Sequence, residues 1–172
     1  MNKSSAAVRV SIEAEVKVAD EVWIATALLH REHSEAADFS IEEIVERARR
    51  EGLHKPLRRG VYVHAVQHCV ANRPPNPGRY RMLVETAPGR RRLFRPGDSY
   101  DPQREGAKTI PGRDALPHGY EGLLSWYRDW SASAMTDSLE RDPLLALRGS
   151  GKRIWSGEHA DDYVRRLREA WE

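Results

Sequence analysis

The stretch RRGVYVHAVQHCVANRPPNPGRYRMLVETAPGRRRLFR, residues 58–95, changes its periodicity halfway along, and that change decides the fold class. In its first part Val61, Ala65, Val66, Cys69 and Val70 recur at helical spacing, which predicts a helix over residues 58–71 with one apolar side. Gly60 weakens the first turn of that helix. The run Asn72-Arg-Pro-Pro-Asn-Pro-Gly78 then removes backbone donors and restricts the residues before its prolines, so it reads as a rigid connection. Beyond it, Tyr80 to Thr86 and Arg91 to Arg95 read as strands around Ala87-Pro-Gly-Arg90, with Met82, Val84, Leu93 and Phe94 as their apolar positions. The outcome is a basic β-hairpin.

Working back toward the N-terminus, Ser40 and Glu43 stand at capping-box spacing, and Phe39 and Ile44 occupy the two positions of a hydrophobic staple. A helix starts there, turns Ile41, Ile44, Val45 and Ala48 inward, and ends at Glu51-Gly52, where glycine can adopt the left-handed C-cap. Residues 19–31 predict a buried first helix, with Val22, Ala25 and Leu29 on one side and Trp23, Ile24, Ala27 and Leu28 broadening it. Residues 8–18 alternate Val8, Val10, Ile12, Ala14, Val16 and Val18 with polar residues, as a short strand or extended arm does; with no Gly or Pro before the next segment, they could also extend the first helix. Three helices followed by a hairpin is the order of a winged helix-turn-helix domain. The expected class is therefore mainly α with a small antiparallel β-hairpin: an N-terminal arm or strand over 1–16, a winged helix domain over 17–96, and a C-terminal helical extension.

Toward the other end, residues 97–117 hold Gly97, Pro102, Gly106, Pro111, Gly112 and Pro117 among polar side chains and read as an extended linker that could also lie across the first domain. Residues 118–141 read as a helical connector carrying Tyr120, Leu123, Leu124, Tyr127 and Trp130. Residues 142–172 divide into a piece starting at Asp142-Pro143 and a second one over 159–171, with Gly149-Ser-Gly151 as the break. Tyr163, Val164, Leu167 and Trp171 form an apolar stripe on the second piece.

The formal net charge is only +2, but residues 1–54 carry 7 basic and 11 acidic side chains, residues 55–96 carry 10 and 1, and residues 97–172 carry 11 and 14. The middle segment alone is +9, a field that suits a polyanion. On the third helix and the turn before it, Lys55, Arg58, Arg59, Tyr62 and Gln67 are the expected contacts to double-stranded operator DNA, with Arg and Gln able to read base edges. The hairpin adds Arg79, Arg81, Arg90, Arg91, Arg92 and Arg95 for phosphates or the minor groove. Bacterial operators commonly repeat with the symmetry of the protein, so a homodimer is expected.

Cys69, the single cysteine, excludes an internal disulfide and a multi-thiolate zinc site. His64 and His68 stand at i,i+4 without an accompanying acidic ligand, and Ser125 and Ser131 have no nucleophile-elbow context. Gly149-Ser-Gly151-Lys152 lacks the spacing of a phosphate-binding loop. No enzyme, metal or cofactor is expected, and with no signal-peptide pattern and no apolar run long enough to span a bilayer, the expected location is the cytoplasm.

Two resemblances accompany these readings. Val22-Trp-Ile-Ala-Thr-Ala-Leu-Leu-His30, Phe39-Ser-Ile-Glu-Glu-Ile44, Tyr80-Arg-Met-Leu83 and Arg92-Leu-Phe-Arg-Pro-Gly-Asp98 resemble an uncharacterised family of bacterial winged helix domains from restriction and regulatory systems, which implies fold and DNA association without assigning base-reading residues. Asp142-Pro-Leu-Leu145, Gly149-Ser-Gly-Lys152, Ile154-Trp155, Asp162-Tyr-Val164 and Leu167-Arg-Glu-Ala-Trp171 resemble the C-terminal segment of type II antitoxins paired with PIN-domain ribonucleases. That resemblance implies a tail that wraps a toxin, with Ile154, Trp155, Tyr163, Val164, Leu167 and Trp171 as anchors and Arg168 approaching the acidic nuclease centre. Such antitoxins usually bind DNA through a ribbon or a small looped-hinge dimer, whereas a winged helix is expected here. The alternative is a nucleic-acid-binding accessory or structural interaction module whose C-terminus packs on itself.

Overall fold

The computed structural model describes residues 16–141 and 160–169, which form two compact units, one ending at Asp129 and one beginning at Trp130. The first unit is mainly α with a small antiparallel sheet, in the order α1 (Val18–Glu32), β1 (Phe39–Ser40), α2 (Ile41–Glu51), α3 (Gly60–Val63), β2 (Leu83–Ala87) and β3 (Arg90–Leu93). The eight residues of α4 from Gly122 to Asp129 close it.

Helix α1 is the axis of the unit, and every residue from Ala19 to His30 is buried. Its first turn carries Asp20 and Glu21, whose charges suit a helix N-terminus but are fully enclosed. Cations from distant segments reach them: Lys108 Nζ lies 2.7 Å from Asp20 and an Arg58 amino group 2.6 Å from Glu21. Trp23 packs edge-on against Tyr127 of α4, with ring centroids 5.7 Å apart.

Helix α2 begins as its sequence dictates. The Ser40 side chain accepts from Glu43 N–H while the Glu43 carboxylate accepts from Ser40 N–H, completing the capping box. Gly52 ends the helix at φ 66°, a conformation strained for residues with a Cβ. Ile41, Ile44 and Ala48 are buried and Val45 is half-buried.

The third helix is shorter than the 58–71 read from periodicity. Four α-helical residues pass into a π-helical turn over His64–His68, closed by Cys69 N–H donating to His64 O at 2.9 Å. The wider turn still buries Val61, Ala65 and Cys69, whereas Val66 is half-buried. Phe39 and Ser40, expected to serve only as the entrance to α2, also pair as a short strand with Arg91 and Arg90. The sheet order is consequently β1-β3-β2, all antiparallel, with Leu83 opposite Leu93 and Val84 opposite Arg92.

Residues 97–117, read as a linker, pack on this core. Asp101 N–H donates to Ala71 O, Arg81 N–H donates to Lys108 O, and the fully buried Arg104 guanidinium donates to the carbonyls of Gln67, His68, Arg73, Pro74 and Tyr80. One arginine thus satisfies the His68, Arg73 and Tyr80 carbonyls, which the π turn and the proline-rich connection leave without another donor, and adds to those of Gln67 and Pro74. The expected connector helix is present as α4 (Gly122–Arg141), and its first part belongs to the core through Leu123 and Tyr127.

In the second unit, α5 (Ala160–Glu169) lies within the piece expected over 159–171. It exposes Asp161, Asp162, Arg165, Arg166, Arg168 and Glu169, with Arg165 3.3 Å from Asp162. Of the arm expected over 1–16, residues 1–15 lie outside the described residues, as does the helix expected from Asp142. No helix among the described residues is long and apolar enough to cross a membrane.

Candidate nucleic-acid interface

Of the eleven residues expected to touch nucleic acid, seven are engaged by the protein itself and form a first group, and four form a second. In four of the first, carboxylates and carbonyls of the protein itself engage the side chain. Arg58 donates twice to the buried Glu21 carboxylate, at 3.1 and 2.6 Å, and once to Val16 O at 2.7 Å, so it ties the entrance of α3 to the start of α1. Arg91 is 1% exposed, donates to the carbonyls of Ala65 and Val66, and lies 3.1 Å from Glu85, stitching β3 to the π turn. Arg92 forms a two-pronged contact with Asp98 at 2.6 and 2.7 Å. Arg90 at the hairpin turn is claimed by Asp38, which also accepts from Thr86 Oγ1 at 2.6 Å. The Thr86 hydroxyl and Arg90 together hold the Asp38 carboxyl below its usual range despite some desolvation.

Three further candidates are engaged in other ways. The Arg81 guanidinium lies 4.1 Å from the ring centre of Tyr100. The Gln67 amide donates to Pro74 O at 2.7 Å. Arg95 is half-buried, and its backbone N–H donates to Asp98.

The second group is Lys55, Arg59, Tyr62 and Arg79. All four are exposed, and the three cations have no ion-pair partner among the described residues. Arg59, Tyr62, Val63 and Val66 stand at i, i+3, i+4 and i+7, on the side of the third helix away from Val61, Ala65 and Cys69. Tyr62 is 52% and Val63 44% exposed. Gly78 approaches His68 so closely that a Cβ on residue 78 would sit 2.7 Å from the histidine Cβ, which places Arg79 next to the π turn, by its His64–His68 edge. Val63 went unnoticed in the sequence because its neighbours Val61, Ala65 and Val66 suggested one continuous apolar core.

Electrostatics favour the same side. From Gly52 to Val84 the chain contains no carboxylate, whereas Lys55, Arg58, Arg59, Arg73, Arg79 and Arg81 lie within that span. Elsewhere, a cleft of about 600 Å³ formed by α1, β1 and α2 is lined by Asp38, Glu42, Glu43 and Glu46 together with Arg50 and Arg90, and its carboxylates repel phosphate.

His30 and His64 are engaged inside the fold. Leu93 N–H donates to His30 Nε2 at 3.4 Å, so that nitrogen must be unprotonated. Burial, with Arg95 and Arg92 nearby, lowers the His30 pKa to about 4. His64 donates through Nδ1 to Gly60 O at 2.9 Å, its ring lies edge-on to His68 with centroids 4.8 Å apart, and burial lowers its pKa. Burial pushes the Cys69 thiol well up, away from the reactive thiolate. Ser125 Oγ donates to Gly122 O within its own helix. Among the described residues no group of three His, Cys, Asp or Glu is placed to hold a metal ion.

Of the toxin-facing candidates, Ile154, Trp155 and Trp171 lie outside the described residues. Tyr163, Val164, Leu167 and Arg168 all lie on α5, and Arg168 is exposed. Comparisons with family models, with curated proteins and with solved structures find no match to this chain.

Proposed function

We propose that residues 17–96 are a winged helix-turn-helix that binds double-stranded DNA, and that the chain is an autoregulatory antitoxin whose C-terminal segment neutralises a PIN-domain ribonuclease. One observation carries the DNA-binding half. The order helix, strand, helix, helix, strand, strand with a β1-β3-β2 sheet is the arrangement in which the third helix is offered to a groove. The helix and the turns that flank it carry the exposed Lys55, Arg59 and Arg79, with no carboxylate in the chain between Gly52 and Val84. Phosphate contacts then come from Lys55 and Arg79, base-edge contact from Arg59, and Arg90 joins only where phosphate displaces Asp38.

The antitoxin half rests on the C-terminal sequence pattern and on the amphipathic α5, whose first turn is acidic and last turn basic. A charged exterior with a Tyr163, Val164 and Leu167 stripe suits an element that binds by burying apolar anchors and presenting arginines to an acidic nuclease centre. A homodimer would match a symmetric operator.

Fluorescence anisotropy with the duplex immediately upstream of the protein's own coding sequence tests the first half. Binding that weakens with salt, and that Arg59→Ala impairs, supports it; no binding at low salt contradicts it. Inhibition of a co-purified ribonuclease tests the second half, and a full chain that leaves such an enzyme fully active contradicts it.

A further inference from the structure

We infer that the third helix reads thymine: Val63 and Tyr62 are its specificity-determining residues, receiving the 5-methyl groups of thymines in the major groove while Arg59 takes an adjoining guanine. The inference rests on the DNA-binding reading above and goes beyond it by naming what the helix recognises. Tyr62 and Val63 are the exposed large hydrophobic side chains among the described residues, and they are neighbours on one side of one helix. Val66 continues that side, half-buried, one turn further on. A purely phosphate-binding helix gains nothing from two branched or aromatic groups held in water. The major groove offers one apolar feature that distinguishes base pairs, the thymine methyl, and apolar side chains are what recognise it.

Charge selects DNA over protein as the occupant. Lys55 and Arg59 precede these residues, Arg79 lies next to the π turn that follows them, and the chain from Gly52 to Val84 is free of carboxylates. A polyanion neutralises all of these cations at once, whereas a protein partner would have to supply a carboxylate for each. Arg58 is held by Glu21 and Gln67 by Pro74, so neither polar candidate of the same helix competes for base edges.

The full chain is incubated with a pool of double-stranded DNA containing a randomised core, and the most enriched duplex is synthesised once with thymine and once with uracil, which differs only by the missing methyl. The wild-type protein is expected to bind the uracil duplex about fourfold more weakly for each contacted methyl. Val63→Ala should bind the thymine duplex as weakly as the wild type binds the uracil one, and lose little more on the exchange. Its side chain is 44% exposed, so an unchanged thermal midpoint certifies the fold of the variant. Equal binding of both duplexes by the wild type overturns the methyl assignment and leaves the DNA-binding reading standing. A pool from which nothing is enriched overturns that reading, and this inference with it. Self-association that Val63→Ser abolishes, seen by light scattering, assigns the surface to a second copy and overturns the inference.

Discussion

The β-hairpin and the third helix with the turns that flank it are both rich in basic residues, but they use them in opposite ways. In the hairpin, Arg90, Arg91 and Arg92 have Asp38, Glu85 and Asp98 as partners, and Arg91 is almost completely buried. Along the helix, Lys55, Arg59 and Arg79 have no carboxylate partner among the described residues. A count of charges along a sequence measures supply; the positive field left at the surface depends on which carboxylates fold back onto those charges. Here Glu21 and Asp38 come from far outside the densest basic segment, so a local window of sequence reveals only the share of the cancellation that Glu85 and Asp98 supply.

The largest expected effect lies in the buried arginines. Arg104→Met leaves the carbonyls of His68, Arg73 and Tyr80 without a donor and should cost about 3–5 kcal/mol, measured by urea unfolding. Arg91→Ala, which strips Ala65 O, Val66 O and Glu85 of a partner, should cost about 3 kcal/mol by the same measurement. If either arginine were a nucleic-acid contact rather than an internal one, the substitution would weaken binding and leave stability within about 0.5 kcal/mol of wild type.

A smaller effect follows from His30. Its folded pKa of about 4 lies below the ordinary 6.5, so between these values the unfolded chain takes up a proton that the folded chain refuses. Stability is therefore complete above pH 6.5 and falls as pH drops toward 4, by about 2 kcal/mol between pH 8 and pH 5. His30→Gln should flatten that slope, and an equally steep slope in the variant would assign the proton uptake to another group.

The smallest stability change is expected at Asp38, on the partly exposed pair that separates the two regions. Asp38→Asn should cost under about 1 kcal/mol, and it frees Arg90 for phosphate, making the salt dependence of DNA binding steeper by about one unit of log Kd per log salt. An unchanged slope would mean that Arg90 does not reach the nucleic acid even when released.

Much of the fold was legible because its signals are local. The Ser40–Glu43 capping box, the left-handed Gly52 and the inward set Val61, Ala65 and Cys69 each depend on residues a turn apart, and each is found in place. Strand β1 was not legible, since two residues have no periodicity and Phe39–Ser40 pairs only because β3 arrives beside it. The π turn hides in the same way, for it changes hydrogen-bond spacing without changing the apolar pattern. The packing of 97–117 depends on Arg104, whose residue type argues for the surface. At the candidate site the residue types were legible, but Arg58, Arg91 and Arg92 are told from Arg59 and Arg79 only by their pairing in the fold, with the distant Glu21 and with Glu85 and Asp98 six residues away.

The most direct test of the claim that the hairpin arginines serve the fold and the helix cations serve the ligand is the salt dependence of DNA affinity. The full chain is titrated with a short mixed-sequence duplex over a series of salt concentrations, and log Kd is plotted against log salt. Three unpaired cations, Lys55, Arg59 and Arg79, predict a slope of about 3 per protein chain. A slope of about 8, as the whole +9 segment would produce, contradicts the account, because it requires the paired arginines to leave their carboxylates for phosphate.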